Sequence, residues 1–168
     1  QLAAAVAELP DACGSDSAFL VLISEDGRAF EYVAASSGGF SKCQPQVLQG
    51  EQLGDWPWLA KRLGHLRVIE ISDTLSGPKA AHEEMQRLHE LHMGSLLVIG
   101  FSAHGNVAGF LALTNEQPVE GWDANLHLLL KLIGSSVASG LEHVRDKEIL
   151  NQLRERNDLV ALTANDGI

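Results

Sequence analysis

"SLLVIGFSAHGNVAGFLALTN", residues 95–115, holds two apolar runs of strand length around a four-residue break, Ala103-His104-Gly105-Asn106. Gly105 accepts the positive φ that a tight reversal needs, so the spacing predicts an antiparallel hairpin. Neither run alternates cleanly between apolar and polar residues, which is the pattern of central strands covered on both faces. The rest of the chain must therefore supply one layer on each side of this hairpin.

One layer follows the hairpin. Trp122-Asp123 offers a helix N-cap, and Leu126, Leu129, Leu130, Ile133, Val137, Leu141 and Val144 then make an apolar stripe longer than a sheet is wide. The other layer precedes it. "WPWLAKRLG" (residues 56–64) reads as a short helix, and Ser76-Gly77-Pro78 opens a second one, with Pro at the tolerated first position. Ala81, Met85, Leu88 and His92 give that second helix a face toward the sheet, with His92 tucked against it, while Glu83 and Glu84 read as solvated.

Further strands complete the sheet. "AFLVLI" (18–23) and "AFEYVAA" (29–35) flank Ser24-Glu25-Asp26-Gly27-Arg28, whose Asp-Gly pair is a strong hairpin signal, and "RVIEIS" (67–72) is another strand. Leu2, Val6 and Leu9 recur at helical spacing and stop at Pro10. Residues 36–54, rich in Gly, Ser and Gln, read as a long loop of the kind that carries function. The order is helix, two strands, short helix, strand, helix, two strands, long helix: an α+β fold with an antiparallel sheet.

Composition narrows the function. At 168 residues and 45% hydrophobic, the chain fits one domain plus an appended helix. Twelve Lys+Arg against 22 Asp+Glu give a net charge of −10, which argues against nucleic acid and anionic lipid as partners. The longest apolar runs fall short of the ~18 residues that span a bilayer, so no direct membrane contact is expected. Cys13 and Cys43 form neither a CxxC pair nor a disulfide framework, and read as reduced thiols in a cytoplasmic protein. The missing initiating Met suggests a piece of a longer chain.

The order of elements, together with "AFLVLISEDGRAFEYVAASS", "PWLAKRL" ahead of "RVIEISD", "HMGSLLVIGF", "GNVAGFLALTN" and "WDANLHLLLKLIGSSVASGLEH", resembles the GAF domain of bacterial signalling proteins over roughly residues 2–144. The resemblance implies a GAF-like central antiparallel sheet, with terminal helices on one face and short helices and loops over a ligand pocket on the other. It divides the chain into a GAF-like sensory domain at 1–145 and a helical connector at 146–168. The end of that connector, "NDLVALTANDGI", resembles the start of a PAS domain. The parent chain is then expected to lead to a diguanylate cyclase, a cyclic-di-GMP phosphodiesterase or a histidine kinase of a two-component system. This fragment itself is expected to sense a small molecule without catalysis.

The presumed pocket takes Phe40 and Cys43 from the long loop, Trp58 from the short helix, Asp73 after the third strand, His82 and Met85 from the covering helix, and Phe101 from the hairpin. These are large apolar walls with one carboxylate and one imidazole, which suits a small-molecule site and equally an ordinary core. His82, His89 and His92 fall at steps of seven and three, a spacing open to a metal, but exposed histidines are the preferred reading and no metal is expected. Some members of the family carry a covalent bilin on a cysteine of the covering helix; no cysteine follows Cys43, so no such cofactor is expected. The cyclic-nucleotide pattern of other members is broken at Asn115-Glu116 and Trp122-Asp123. A thiol-dependent methionine sulfoxide reductase would need Cys13 and Cys43 to cooperate, and their number and placing do not match that branch. A pocketless GAF fold serving only to dimerise is the other alternative.

The stripe of the last helix continues beyond the sheet. Val137, Leu141 and Val144, followed by Leu150, Leu153, Asn157 and Val160 at heptad-like steps, predict a homodimer seam along the terminal helices.

Overall fold

The computed structural model describes residues 6–37, 41–65 and 68–166, with side chains described in these segments except at 145–149 and 156–166. A helical turn α1 (Leu9–Cys13) leads into β1 (Ser17–Ile23) and β2 (Phe30–Ser37). Two 3₁₀ turns (Pro45–Leu48, Leu53–Asp55) precede helix α2 (Pro57–Gly64), β3 (Ile69–Ile71) and helix α3 (His82–Glu90). The hairpin β4 (Ser95–Ala103) and β5 (Asn106–Asn115) is followed by the long helix α4 (Ala124–Asp166). The strands form one antiparallel sheet in the order β2-β1-β5-β4-β3.

The decisive hairpin is tighter than its sequence suggests. Ala103 pairs with Asn106, leaving only His104-Gly105 as the loop. Both loop residues have positive φ, 52° and 80°, the geometry of a type I′ turn whose twist matches that of the strands. The amide of His104 donates to Glu142 Oε1 at 3.0 Å, which ties the turn to α4.

Period-two alternation then divides the core into two layers. Phe19, Val21, Leu96, Val98 and Phe110 face the short helices, while Leu20, Leu97, Ile99, Leu111 and Leu113 face α4. Both layers are apolar, which explains the missing alternation of polarity in β4 and β5.

Asp123 caps α4 as the sequence indicates, its Oδ1 accepting from the amide of Asn125 at 2.9 Å. The helix runs unbroken for 43 residues, about 65 Å at 1.5 Å per residue, so the boundary placed at 145/146 falls inside one continuous helix. Leu130, Val137 and Ala138 are buried against the sheet, and Leu141 is half-buried there. Of the three residues assigned to a dimer seam, Val137 and Leu141 thus pack within the chain, and only Val144 is exposed. Leu128, Leu132, Leu150 and Leu153 are also exposed. At about 100° per residue these four leucines lie within about 60° of one another, on the side of α4 away from the sheet. The side chains of Asn157 and Val160 lie outside the described residues.

Helix α3 ends at Glu90, two residues short of the His92 that the spacing Ala81, Met85, Leu88, His92 implies. His92 takes a left-handed conformation (φ 64°) just beyond it, and the amide of Met93 donates back to the Leu88 carbonyl at 3.0 Å. That reversal turns His92 out to solvent and inserts Met93, fully buried, in the place expected for it.

Candidate functional site

Between the sheet and the two covering helices lies a small apolar cavity of about 20 Å³, room for one water-sized guest. Phe19, Phe30 and Phe110 form its aromatic floor, with Phe110 edge-on to both others at centroid distances of 6.2 and 5.7 Å. Trp56 and Trp58 enter from the start of α2, and Met85 from α3. Pro57 ends the preceding loop and sets the first turn of α2, which brings both indoles over the sheet.

A buried carboxylate fastens the two covering helices together. Glu84 of α3 accepts from the amides of Trp58 (2.8 Å to Oε2) and Leu59 (3.0 Å to Oε1), two donors that the first turn of α2 leaves without intrahelical partners. Two guanidinium groups stack on the indoles: Arg62 at 4.9 Å from the Trp58 centroid and Arg87 at 5.0 Å from that of Trp56. Arg87 is also paired with Glu51. One polar atom is left over: Trp56 Nε1 is buried with no hydrogen-bond partner.

The residues singled out from sequence go to different places. Trp58 and Met85 line the cavity. Cys43 is buried in the same layer but does not line the cavity. Asp73 caps the following 3₁₀ turn, accepting from Leu75 N at 3.0 Å. His82 is exposed and belongs to an outer groove of about 620 Å³ with Asp55, Lys79, Glu83 and Arg87. Phe101 lies in the other layer, under α4, where a Cβ added at Gly134 would stand 3.5 Å from its own Cβ. Phe40 lies outside the described residues. Among the described residues no three His, Cys, Asp or Glu side chains converge as metal ligands.

The two thiols are separated by the sheet, Cys13 packing on the α4 side and Cys43 on the cavity side. Burial raises the pKa of both. For Cys43 it reaches about 11, because desolvation outweighs the hydrogen bond from Ser17, and Glu116 and Asp16 add to the rise. A thiol held protonated at neutral pH is a poor nucleophile, and its potential partner is on the far face, which speaks against a two-cysteine reductase.

Sequence reasoning missed most of the wall, including the floor rings Phe19, Phe30 and Phe110 and, from the covering side, Trp56 and Glu84. Trp56 precedes the helix, so helical spacing gives no hint of its burial, although a residue before Pro is confined to extended backbone. Glu84 was read as solvated but is 6% exposed. Its position three residues after Ala81 and four before Leu88, on the apolar face, was the available signal.

The sequence matches no protein-family model and no curated protein. Solved structures do match it. The PixJ GAF domain of Thermosynechococcus elongatus in its blue-light absorbing form is 14% identical with a TM-score of 0.70, the match covering 92% of this chain and 90% of that one. The photoproduct state of GAF3 from Slr1393 of Synechocystis sp. PCC6803 is 14% identical with a TM-score of 0.67, over 88% and 94%. A domain of a putative two-component sensor histidine kinase from Sinorhizobium meliloti 1021 is 16% identical with a TM-score of 0.63, over 88% and 93%. Identities this low speak to architecture alone, and with the strand order, the split layers and the covered sheet face they establish that this chain has the fold of a GAF domain.

Proposed function

We propose that the domain is a non-catalytic sensor of a small molecule within a bacterial signalling protein, and that it works as a homodimer. The observation that carries the reading is the placement of the β4–β5 hairpin between cavity and output helix. Val98 and Phe110 face the cavity, while the next residues along each strand, Ile99 and Leu111, pack under α4. A guest that shifts the floor of the cavity therefore bears on α4 through rigid, close-packed strands. In this reading residues 146–168 are the connector toward a PAS-like domain. The parent chain ends in a diguanylate cyclase, a cyclic-di-GMP phosphodiesterase or a histidine kinase, and the fragment lies in the cytoplasm. Among the described residues no helix is long and apolar enough to cross a membrane. The light-absorbing states named for two of the structural neighbours do not transfer, since this chain has no cysteine beyond Cys43 to hold a bilin on the covering helix.

A library of small metabolites screened by melting temperature tests the sensing reading. A true ligand at a hundred times its Kd adds ~2.7 kcal/mol, a rise of about 5–10 °C for a chain of this size. The second reading, a GAF fold that only dimerises, is favoured by one observation, the small volume of the cavity. It gains if no compound raises the melting temperature.

The dimer is proposed along the outer face of α4. Leu128 and Leu132 lie beside the domain, and Leu150 and Leu153 beyond it, all half-exposed or more. Pairing them would remove apolar area from water at ~25 cal/mol per Å². Replacing all four by glutamine is expected to halve the sedimenting mass while leaving the melting transition of the GAF fold in place. Equal masses for parent and variant would show that this face is not the seam.

A further inference from the structure

We infer that the second copy in the proposed dimer runs antiparallel, its α4 crossing the outer face of this one about a two-fold axis between Gly140 and Leu141. The inference rests on the dimer reading above and adds the sense of the pairing, with what that does to the connectors.

Ser139 and Glu142 lie on the same face of α4 as Leu128, Leu132, Leu150 and Leu153; at 100° per residue all six fall within about 80°. The leucines are 50–61% exposed, Ser139 is exposed and Glu142 is half-buried. From Leu128 to Leu153 the face therefore reads apolar, polar, apolar over about 38 Å. Glu142 Oε1 accepts from the His104 amide, and its Oε2 has no partner among the described residues.

An interface between two copies about a two-fold axis is isologous: where residue i meets j, j meets i. A perpendicular axis between Gly140 and Leu141 lays Leu128 on Leu153 of the second copy and brings Leu132 within one residue of its Leu150. The same axis lays Ser139 on Glu142, so a hydroxyl donor stands beside the carboxylate oxygen that is still free. Apolar groups meet apolar ones at both ends, and a donor meets an acceptor in the middle. This self-complementarity is what names a second copy of the helix as the occupant of the face.

The parallel alternative matches the leucines equally well, since each would meet itself. It fails in the middle. Glu142 would face Glu142 across the seam, two like charges with no cation among the six residues to separate them, and Ser139 would face only Ser139.

The sense of pairing decides where the chain goes next. In the reading above residues 146–168 are a connector, and in the antiparallel dimer the two connectors leave at opposite ends, about 75 Å apart at residue 166. The domains that follow are then held apart, so an output that needs two copies in contact is off in this state and is released only when the seam opens.

A spin label placed off the seam tests the geometry. On a Cys13→Ser background, with Cys43 buried out of reach of the label, a nitroxide on Asn125→Cys is expected ~45 Å from its counterpart, at 1.5 Å per residue to the axis and out again. A distance under about 20 Å would mean helices lying side by side in the same sense, and would overturn the inference while the dimer stands. A second pair of variants needs no label. Ser139→Lys should tighten the dimer about fivefold in sedimentation equilibrium, because each added cation meets Glu142 of the other copy, and Ser139→Glu should loosen it by about as much. In a parallel pair both substitutions set like charges face to face, so loosening by both would also overturn the inference. If the parent sediments as a monomer, or as a dimer that the four-glutamine variant leaves intact, the outer-face dimer itself falls and the sense of pairing with it.

Discussion

Gly109→Ala is expected to cost ~3 kcal/mol or more and to lower the melting temperature by about 6–12 °C. Gly109 lies in β5, the central strand, opposite Leu22 of β1 and Phe101 of β4. A Cβ there would stand 2.1 Å from the carbonyl oxygen of Val21, inside van der Waals contact with a backbone atom, and 2.9 Å from Cζ of Phe101. The Phe101 ring can turn aside, but the Val21 carbonyl cannot without distorting the β1–β5 ladder. Gly134→Ala is the matched control. Its Cβ would make ordinary contacts of 3.5–3.8 Å with Phe101 and Leu111, and in a helix interior alanine gains up to ~1 kcal/mol over glycine. A Gly109→Ala protein melting within 2 °C of its parent would mean that the two strands are not as closely apposed as described.

The same strand shows how far the sequence could be read. The existence of the hairpin, the covering of both its faces and the capped helix after it follow from apolar runs, a Gly-containing break and Asp123, all of which are local signals. The phase of the strands was not legible. With apolar residues at nearly every position from Leu96 to Phe101, nothing in the sequence says which of two alternate faces each looks at, and Phe101 was accordingly assigned to the cavity. The structure puts Leu97, Ile99 and Phe101 together under α4. The choice of Val137 and Leu141 for a dimer seam has a related origin. The stripe through Val137 and Leu141 is the most apolar on the helix because it is the one that packs on the sheet, so hydrophobicity alone picked the intramolecular face. Trp56 and Glu84 depended on tertiary geometry: one precedes its helix, and the other is a carboxylate buried only because the start of a second helix supplies two amides.

Phe110→Ala is expected to cost ~3–5 kcal/mol, a drop of about 6–20 °C in melting temperature, and to change what the domain binds. The ring is 2% exposed and packs edge-on against both Phe19 and Phe30, so its removal forfeits burial and two aromatic contacts while leaving a void between rigid strands. That void adds to the cavity already present, and its apolar lining keeps it dry. Benzene, for which the parent has no room unless α2 moves, should then bind the variant and restore ~1.4 kcal/mol when present at ten times its Kd. Recovery by benzene separates an enlarged cavity from a collapsed sheet, since a collapsed site has nothing to fill. The loss should also reach α4. Leu111, the next residue along β5, is fully buried beneath that helix, so backbone relaxation at position 110 alters the surface on which Leu130, Val137 and Ala138 rest. Faster amide exchange in the 130–141 segment of Phe110→Ala, slowed again by benzene, is the expected signature of a cavity coupled to its helix. Exchange that benzene leaves unchanged in that segment would show the two layers of the sheet to be mechanically independent.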